Sequence, residues 1–221
     1  MRFLFKLILL LCCSLSFAQL PNGFVYLQDI IPDIKLELRY CSSNNFVGEP
    51  IFGYNANTCI LSTQATKALN KVKVELKQYN LSLKIYDAYR PQRAVNHFWN
   101  WAKNVNDTIM KQQFYPNVNK KDLFNEGYIA TRSGHSRGST IDLTLVDIKT
   151  GKAIDMGSSY DFFGEESWVL HNKLTAQQKV NRMLLQTLMN KHGFISYPKE
   201  WWHFTLANEP FKDQYFDFPI E

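Results

Sequence analysis

The chain has 221 residues, 45% of them apolar, and its 25 Lys+Arg against 20 Asp+Glu give a formal net charge of +5. That length and apolar content suffice for one well-buried core and argue for one compact domain rather than a disordered or fibrous chain. The excess of cations is mild and no basic run gathers on one segment, so nothing in the charge supports a nucleic-acid-binding function.

The first stretch, "MRFLFKLILLLCCSLSFA" at residues 1–18, has Arg2 and Lys6, then a long apolar run, then Ser16 and Ala18 at the small-residue positions of a cleavage site. It reads as a secretory signal peptide cut before Gln19. The alternative is a membrane anchor facing the periplasm, but the run is shorter than the roughly 20 apolar residues a span needs. Lipid attachment at Cys12 or Cys13 is disfavoured by the bulky Leu11 and Cys12 that precede them. No later stretch is apolar enough to span a bilayer. The expectation is a single exported domain over residues 19–221, periplasmic and without stable membrane insertion. Nothing in the sequence points to an oligomeric state.

Two cysteines remain after the signal, Cys41 and Cys59, eighteen apart and flanking an Asn- and Gly-rich segment. In an oxidising compartment they are expected to form a disulfide, worth on the order of 3 kcal/mol by loop closure. Two buried free thiols are the alternative. Without CxxC spacing the pair is not a zinc site.

From Ser62 to Tyr79, apolar side chains recur at Ala65, Leu69, Val72, Leu76 and Tyr79, the spacing of one helix face, with Ser62 or Thr63 as N-cap. "LSLKIYDAY" alternates as a strand and stops at Arg90-Pro91. "QRAVNHFWNWAK" predicts the next helix, whereas residues 107–127 are polar, with weak periodicity, and read as loop with one short helix. In "SGHSRGSTIDLTL", residues 133–145, the second half alternates as a half-buried strand with Asp142 on its polar face. "TGKAIDMGSSYDFFGEES" reads as turn and loop, and a helix follows over residues 175–191, stopped by Gly193. "GFISYPKEWWHFTLANEP" predicts two strands around a Tyr-Pro turn. Helices and strands mix without a regular strand–helix repeat, which favours an α+β fold with a mainly antiparallel central sheet flanked by helices.

The five histidines divide by their neighbours. His97 and His171 read as packing or surface residues, and His192 suits the end of a helix. His135 stands seven positions before Asp142, and His203 follows Glu200 by three in "EWWH". Zinc catalysis needs three nitrogen or oxygen ligands, an open fourth position and a nearby carboxylate that is not a ligand. His135, Asp142 and His203 would supply the ligands and Glu200 the carboxylate that moves a proton. Each pattern alone arises often by chance. On one straight strand His135 and Asp142 would face opposite ways, so Gly138 and the turn before Thr140 must bring His135 round.

"SGHSRGSTIDLTL" and "EWWHF" closely resemble the paired signatures of the VanX-type D-alanyl-D-alanine dipeptidases, of the zinc peptidase superfamily shared with D,D-carboxypeptidases and the Hedgehog signalling domain. "LRYCSSNNFVGEPIFGY", "YDAYRPQRAVNHFW", "MGSSYDFF" and "YFDFP" extend the resemblance over roughly residues 25–219. It implies one Zn2+ on His135, Asp142 and His203, with Glu200 as general base and Arg90 stabilising the oxyanion at the scissile carbonyl. It also implies that Tyr40, Ser133 and Asp161 surround the free amino group of a small dipeptide substrate, which would be hydrolysed to two D-alanines. A surface salt bridge is the plain alternative for Arg90, and ordinary loop hydrogen bonds are the alternative for the other three. Gly134 departs from the family where relatives often have a second serine, and the signal peptide departs from its cytoplasmic members. The rival functions are a D,D- or L,D-carboxypeptidase acting on longer wall peptides and a non-catalytic zinc-stabilised binding module.

Overall fold

The computed structural model describes residues 20–221; the expected signal peptide, residues 1–18, lies outside the described residues. Among the described residues, no helix is long and apolar enough to cross a membrane.

A short strand β1 (Phe24–Tyr26) runs into the one-turn helix α1 (Leu27–Ile30) and on to β2 (Lys35–Leu36). After a long irregular segment, β3 (Ile60–Ser62) pairs antiparallel with β1 and leads directly into α2 (Thr63–Leu76). The Oγ of Ser62 accepts from the Ala65 N–H, as expected of an N-cap, and Ala65, Leu69, Val72 and Leu76 are buried. Tyr79 leaves that face: the helix tightens to a 3-10 turn at Lys77–Tyr79, Asn80 adopts φ 57°, and the Tyr79 ring is exposed.

The remaining elements are β4 (Leu81–Asp87), α3 (Gln92–Lys103), α4 (Lys111–Phe114), β5 (Thr140–Asp147), α5 (Ala176–Lys191), β6 (Phe194–Tyr197) and β7 (Glu200–Leu206). The single turn α4 and a 3-10 turn at Lys120–Asp122 fill the segment read as loop. Thr175 and Gln178 close α5 with a reciprocal capping box, and Gly193 follows its end at φ 90°.

The main sheet has the order β2-β4-β5-β7-β6, antiparallel throughout except for the parallel β2–β4 contact. The fold is α+β, a mainly antiparallel sheet flanked by helices. Leu69, Val72 and Leu76 of α2 and Leu185, Leu188 and Met189 of α5 pack with Leu83, Ile85, Ile141, Leu143 and Leu145 into one core. A second, aromatic cluster gathers Tyr40, Phe46, Phe98, Trp101, Phe114, Tyr115 and Phe163. As a result β5 is buried from Thr140 to Val146, on both faces. The alternation that suggested a solvent-facing polar side instead marks an apolar face in the core and a polar face that is buried as well, with Asp142 against the Tyr160 hydroxyl.

The expected disulfide is not formed. Cys41 and Cys59 are free: the Cys41 thiol donates to the Leu38 carbonyl at 3.0 Å, and Cys59 is buried in the core beside α2. Burial raises the Cys59 thiol well above its ordinary range, which keeps it protonated and unreactive.

Candidate metal centre and active site

Strand register assembles the site. Asp142 of β5 pairs with His203 of β7, so the two side chains leave adjacent strands side by side. On the other flank Asp142 pairs with Asp87 of β4, because the register shifts by one residue between Ile85 and Asp87. That bulge turns Asp87 to the same side as Asp142, which strict alternation would not have done. A second register shift, at Ser196/Tyr197, accompanies the arrival of Glu200 beside His203, its Oε2 3.4 Å from the Nδ1.

His135 comes from a 3-10 turn, Gly134–Arg137, that closes on Gly138 at φ 77°. A side chain at Gly138 would suffer twice: the backbone is left-handed, and a Cβ would meet the Phe24 ring at 2.1 Å. The Ser133 Oγ accepts from the His135 N–H at 3.3 Å and so begins the turn. At Gly134 a Cβ would stand 2.8 Å from the Thr140 Oγ1, which is itself 2.9 Å from the Thr205 Oγ1, so a serine there would have to displace a packed pair.

His135, Asp142 and His203 present ligand atoms that all lie within 4.8 Å of one another. The Nδ1 of His135 is 2.7 Å from the Ala88 carbonyl, which can only accept, so that nitrogen carries the proton. The Nε2 faces His203, 3.3 Å from that Nδ1, and is the nitrogen free to meet a metal. This arrangement of a ligating histidine, its far nitrogen tied to a carbonyl, is the usual support of a metal site. Asp142 Oδ1 is buried without a hydrogen bond, although the His203 Nδ1 lies 3.0 Å away. Two imidazoles and a carboxylate with an orphaned oxygen fit a divalent transition metal of borderline softness.

The electrostatics follow from burial and neighbours. Burial would raise Asp142, yet His135 and His203 hold its carboxyl well below the usual range. Burial and Asp142 raise Glu200 against the pull of His203 and Arg90. Burial works against a charged His203, but the adjacent Asp142 carboxylate leaves it raised.

Arg90 follows β4 and turns back onto it. Its Nε donates to Asp87 Oδ2 at 2.9 Å, its Nη2 is 2.8 Å from the same oxygen, and Asp142 Oδ2 is 3.7 Å from Nη2. The guanidinium also lies 5.2 Å from the ring centres of both Tyr40 and Phe98. A hydroxyl chain joins the two ends of the site. The Tyr40 OH donates to Asp161 Oδ2 at 2.8 Å, and the Tyr160 OH is 3.2 Å from both the Tyr40 OH and Asp142 Oδ2. Asp161 is buried at φ 60°, and burial together with Asp142 raises its carboxyl well above the ordinary range.

Arg90, Ser133, His135, Asp142, Glu200 and His203 line one cavity of about 300 Å³, with Tyr40 and Asp161 also on its wall. The sequence-predicted residues are thus brought to one place, apart from the cysteine pair. His97 and His192 pair with Glu49 and Glu75, outside the cavity. Sequence reading missed Asp87, Tyr54 and Tyr160. It also missed Arg182, which from α5 donates to the carbonyls of Met156, Glu166 and Trp168 and so braces the segment holding Asp161. Asp87 lay within the quoted "YDAYRP", but only the bulge reveals which way it faces.

The family model described as D-Ala-D-Ala dipeptidase of Peptidase M15 matches residues 21–221. The D-alanyl-D-alanine dipeptidase of Enterococcus faecium is 37% identical over 199 residues, 90% of this chain and 98% of its own. The enzyme of that name from Streptomyces coelicolor is 38% identical over 201 residues, 91% of this chain and 100% of its own. Among solved structures, VanYB in complex with D-alanine-D-alanine is similar at a TM-score of 0.43 and 12% identity, over 69% of this chain and 75% of that one. With a family match across the described chain and relatives at these identities, the protein belongs to the D-Ala-D-Ala dipeptidase family of Peptidase M15 metallopeptidases.

Proposed function

We propose that the protein is a zinc-dependent dipeptidase that hydrolyses D-alanyl-D-alanine to two molecules of D-alanine. One observation carries the reading: a cavity of about 300 Å³ has the His135–Asp142–His203 cluster on its wall together with the buried carboxylate Asp161, which no cation pairs with among the described residues. That volume is at the small end of ligand clefts. The free ammonium of a dipeptide is the charge Asp161 lacks.

His135, Asp142 and His203 would hold one zinc ion. When bound, zinc supplies a Lewis acid that activates water and polarises the scissile carbonyl. Glu200, raised by burial, accepts a proton from the attacking water and returns it to the leaving amine. The Arg90 guanidinium, held on Asp87 with its Nη2 turned toward Asp142, stabilises the negative charge that gathers on the carbonyl oxygen. Asp161 and Tyr40 take the ammonium, and Ser133 stands on the same wall.

The apolar leader at residues 1–18 supports export to the periplasm, and there the substrate would be dipeptide released in wall turnover. A carboxypeptidase acting on longer wall peptides fits less well, since an acylated amine leaves Asp161 buried and uncompensated. The test compares D-Ala-D-Ala with N-acetyl-D-Ala-D-Ala on the zinc-loaded protein: only the free dipeptide is expected to be cleaved at an appreciable rate. Equal cleavage of both would favour the carboxypeptidase. Glu200→Gln is expected to lower kcat by about 10²–10⁴-fold with zinc still bound, and full activity in that variant would remove Glu200 from the reaction.

A further inference from the structure

Arg90 is aimed by residues that never reach the cavity. Asp87, 1% exposed, divides its two oxygens: Oδ2 takes the Arg90 guanidinium, and Oδ1 accepts from the Tyr54 OH at 2.8 Å. The same carboxylate lies 3.6 Å from the Nδ1 of His135, the nitrogen engaged with Ala88. The guanidinium and the imidazole thus face the one oxygen Oδ2, and the rotation of the carboxylate sets how squarely that oxygen meets Arg90. Tyr54 supplies the hydrogen bond on Oδ1 that fixes this rotation, and its ring is absent from the cavity wall.

Tyr54 is in turn held from the C-terminus. Ile220 bridges Tyr54 in parallel, its N–H donating to the Gly53 carbonyl and its own carbonyl accepting from Asn55, both at 2.9 Å. The same C-terminal segment engages the chain around Arg90 and His135. Phe218 stacks on Tyr89 at 4.1 Å and accepts from its hydroxyl, the Phe216 carbonyl accepts from Gln92, and the Phe216 N–H donates to Ser136. Asp217 takes the Arg93 backbone N–H at 2.6 Å and its Nε at 3.0 Å.

We infer that Tyr54, held by the C-terminal strap 216–220, is a positioning residue for the reaction: its hydroxyl sets Asp87, and Asp87 sets the Arg90 guanidinium for the oxyanion. The inference rests on the oxyanion role of Arg90 given above. It separates Tyr54 from Tyr40, which lines the cavity itself, so removing the Tyr54 hydroxyl should leave substrate binding alone.

The test uses the zinc-loaded mature chain and three variants. Tyr54→Phe, which keeps the ring, is expected to lower kcat for D-Ala-D-Ala by about 10-fold while KM stays within about twofold. The affinity of a phosphinate analogue of the dipeptide, which places an anion where the oxyanion forms, should weaken by the same factor as kcat/KM. In the zinc-free protein, the Arg90 Nε–H resonance should lose the slow exchange that its bond to Asp87 confers. Ile220→Ala leaves the hydroxyl in place but loosens its backbone. It should lower kcat in the parent chain and have little further effect beside Tyr54→Phe. Arg90→Ala is the control, with an expected loss of about 10²-fold or more. If Arg90→Ala costs kcat and Tyr54→Phe costs neither kcat nor phosphinate affinity, the inference is overturned and the function stands. An effect of Tyr54→Phe on KM alone overturns it as well. If Arg90→Ala leaves kcat intact, the oxyanion reading of Arg90 fails first and the inference fails with it.

Discussion

Asp161 combines two unfavourable conditions, a left-handed backbone at φ 60° and a buried carboxyl raised well above its ordinary range by burial and by Asp142. Strain of that kind, of order 1–3 kcal/mol, persists where surrounding structure holds it and is concentrated at functional positions. Here the Tyr40 hydroxyl and the bracing of the segment by Arg182 hold it. Because the carboxyl is raised, it takes up a proton at a higher pH than an exposed aspartate would. KM for the free dipeptide is therefore expected to rise as pH falls, the proposed counter-charge being lost at a higher pH than an exposed aspartate would lose it. In Asp161→Asn the same loss should be present at every pH. A pH series of KM for both proteins checks this: an unchanged KM in Asp161→Asn would leave the ammonium with another partner.

The turn that presents His135 depends on one backbone conformation. Gly138→Ala meets both a positive φ and the Phe24 ring, and is expected to cost more than about 2 kcal/mol and to weaken metal binding sharply if His135, which the turn carries, is the ligand proposed. Thermal melting and zinc titration of the variant measure both effects, and retained zinc affinity would show that the ligand can be placed by another turn. This requirement was readable from the sequence, because a histidine seven positions before an aspartate can share its face only if a glycine breaks the strand between them. So were α2 and α5, whose apolar spacing and capping residues are local facts. What the sequence could not show is pairing across strands. Asp142 faces His203 through the β5–β7 register, and Asp87 joins them only through a bulge, neither of which leaves a mark in residue spacing. The cysteine pair misled for a related reason: chain separation and compartment suggested a bond, while Cys59 went into the core beside α2 and Cys41 to a carbonyl.

The molecule keeps its stability and its chemistry in different layers. The core that packs α2 and α5 on the sheet is built of apolar side chains such as Leu69, Leu143 and Leu185, whereas the proposed ligands His135, Asp142 and His203 line the cavity. Removing the metal is therefore expected to abolish hydrolysis while far-UV circular dichroism stays native. Zinc bound only by the folded state adds RT ln(1 + [L]/Kd), about 2.7 kcal/mol at a hundredfold excess over Kd, so the thermal midpoint should fall on chelation and recover when zinc is restored. Unfolding of the chelated protein at room temperature would instead give the metal a structural part, as in the binding-module alternative.

The burial of β5 on both faces also determines how the site opens. Central strands with buried amides exchange hydrogen only when the whole domain unfolds, whereas loops exchange through local fluctuations. Asp142 rides on the first kind of backbone, while the cavity wall at Tyr128–Ala130 belongs to irregular chain. Deuterium should thus enter residues 128–133 orders of magnitude faster than residues 141–146, and added substrate should slow the former without changing the latter. Dipeptide would then meet an adjustable loop wall above a floor that stays fixed for the lifetime of the fold.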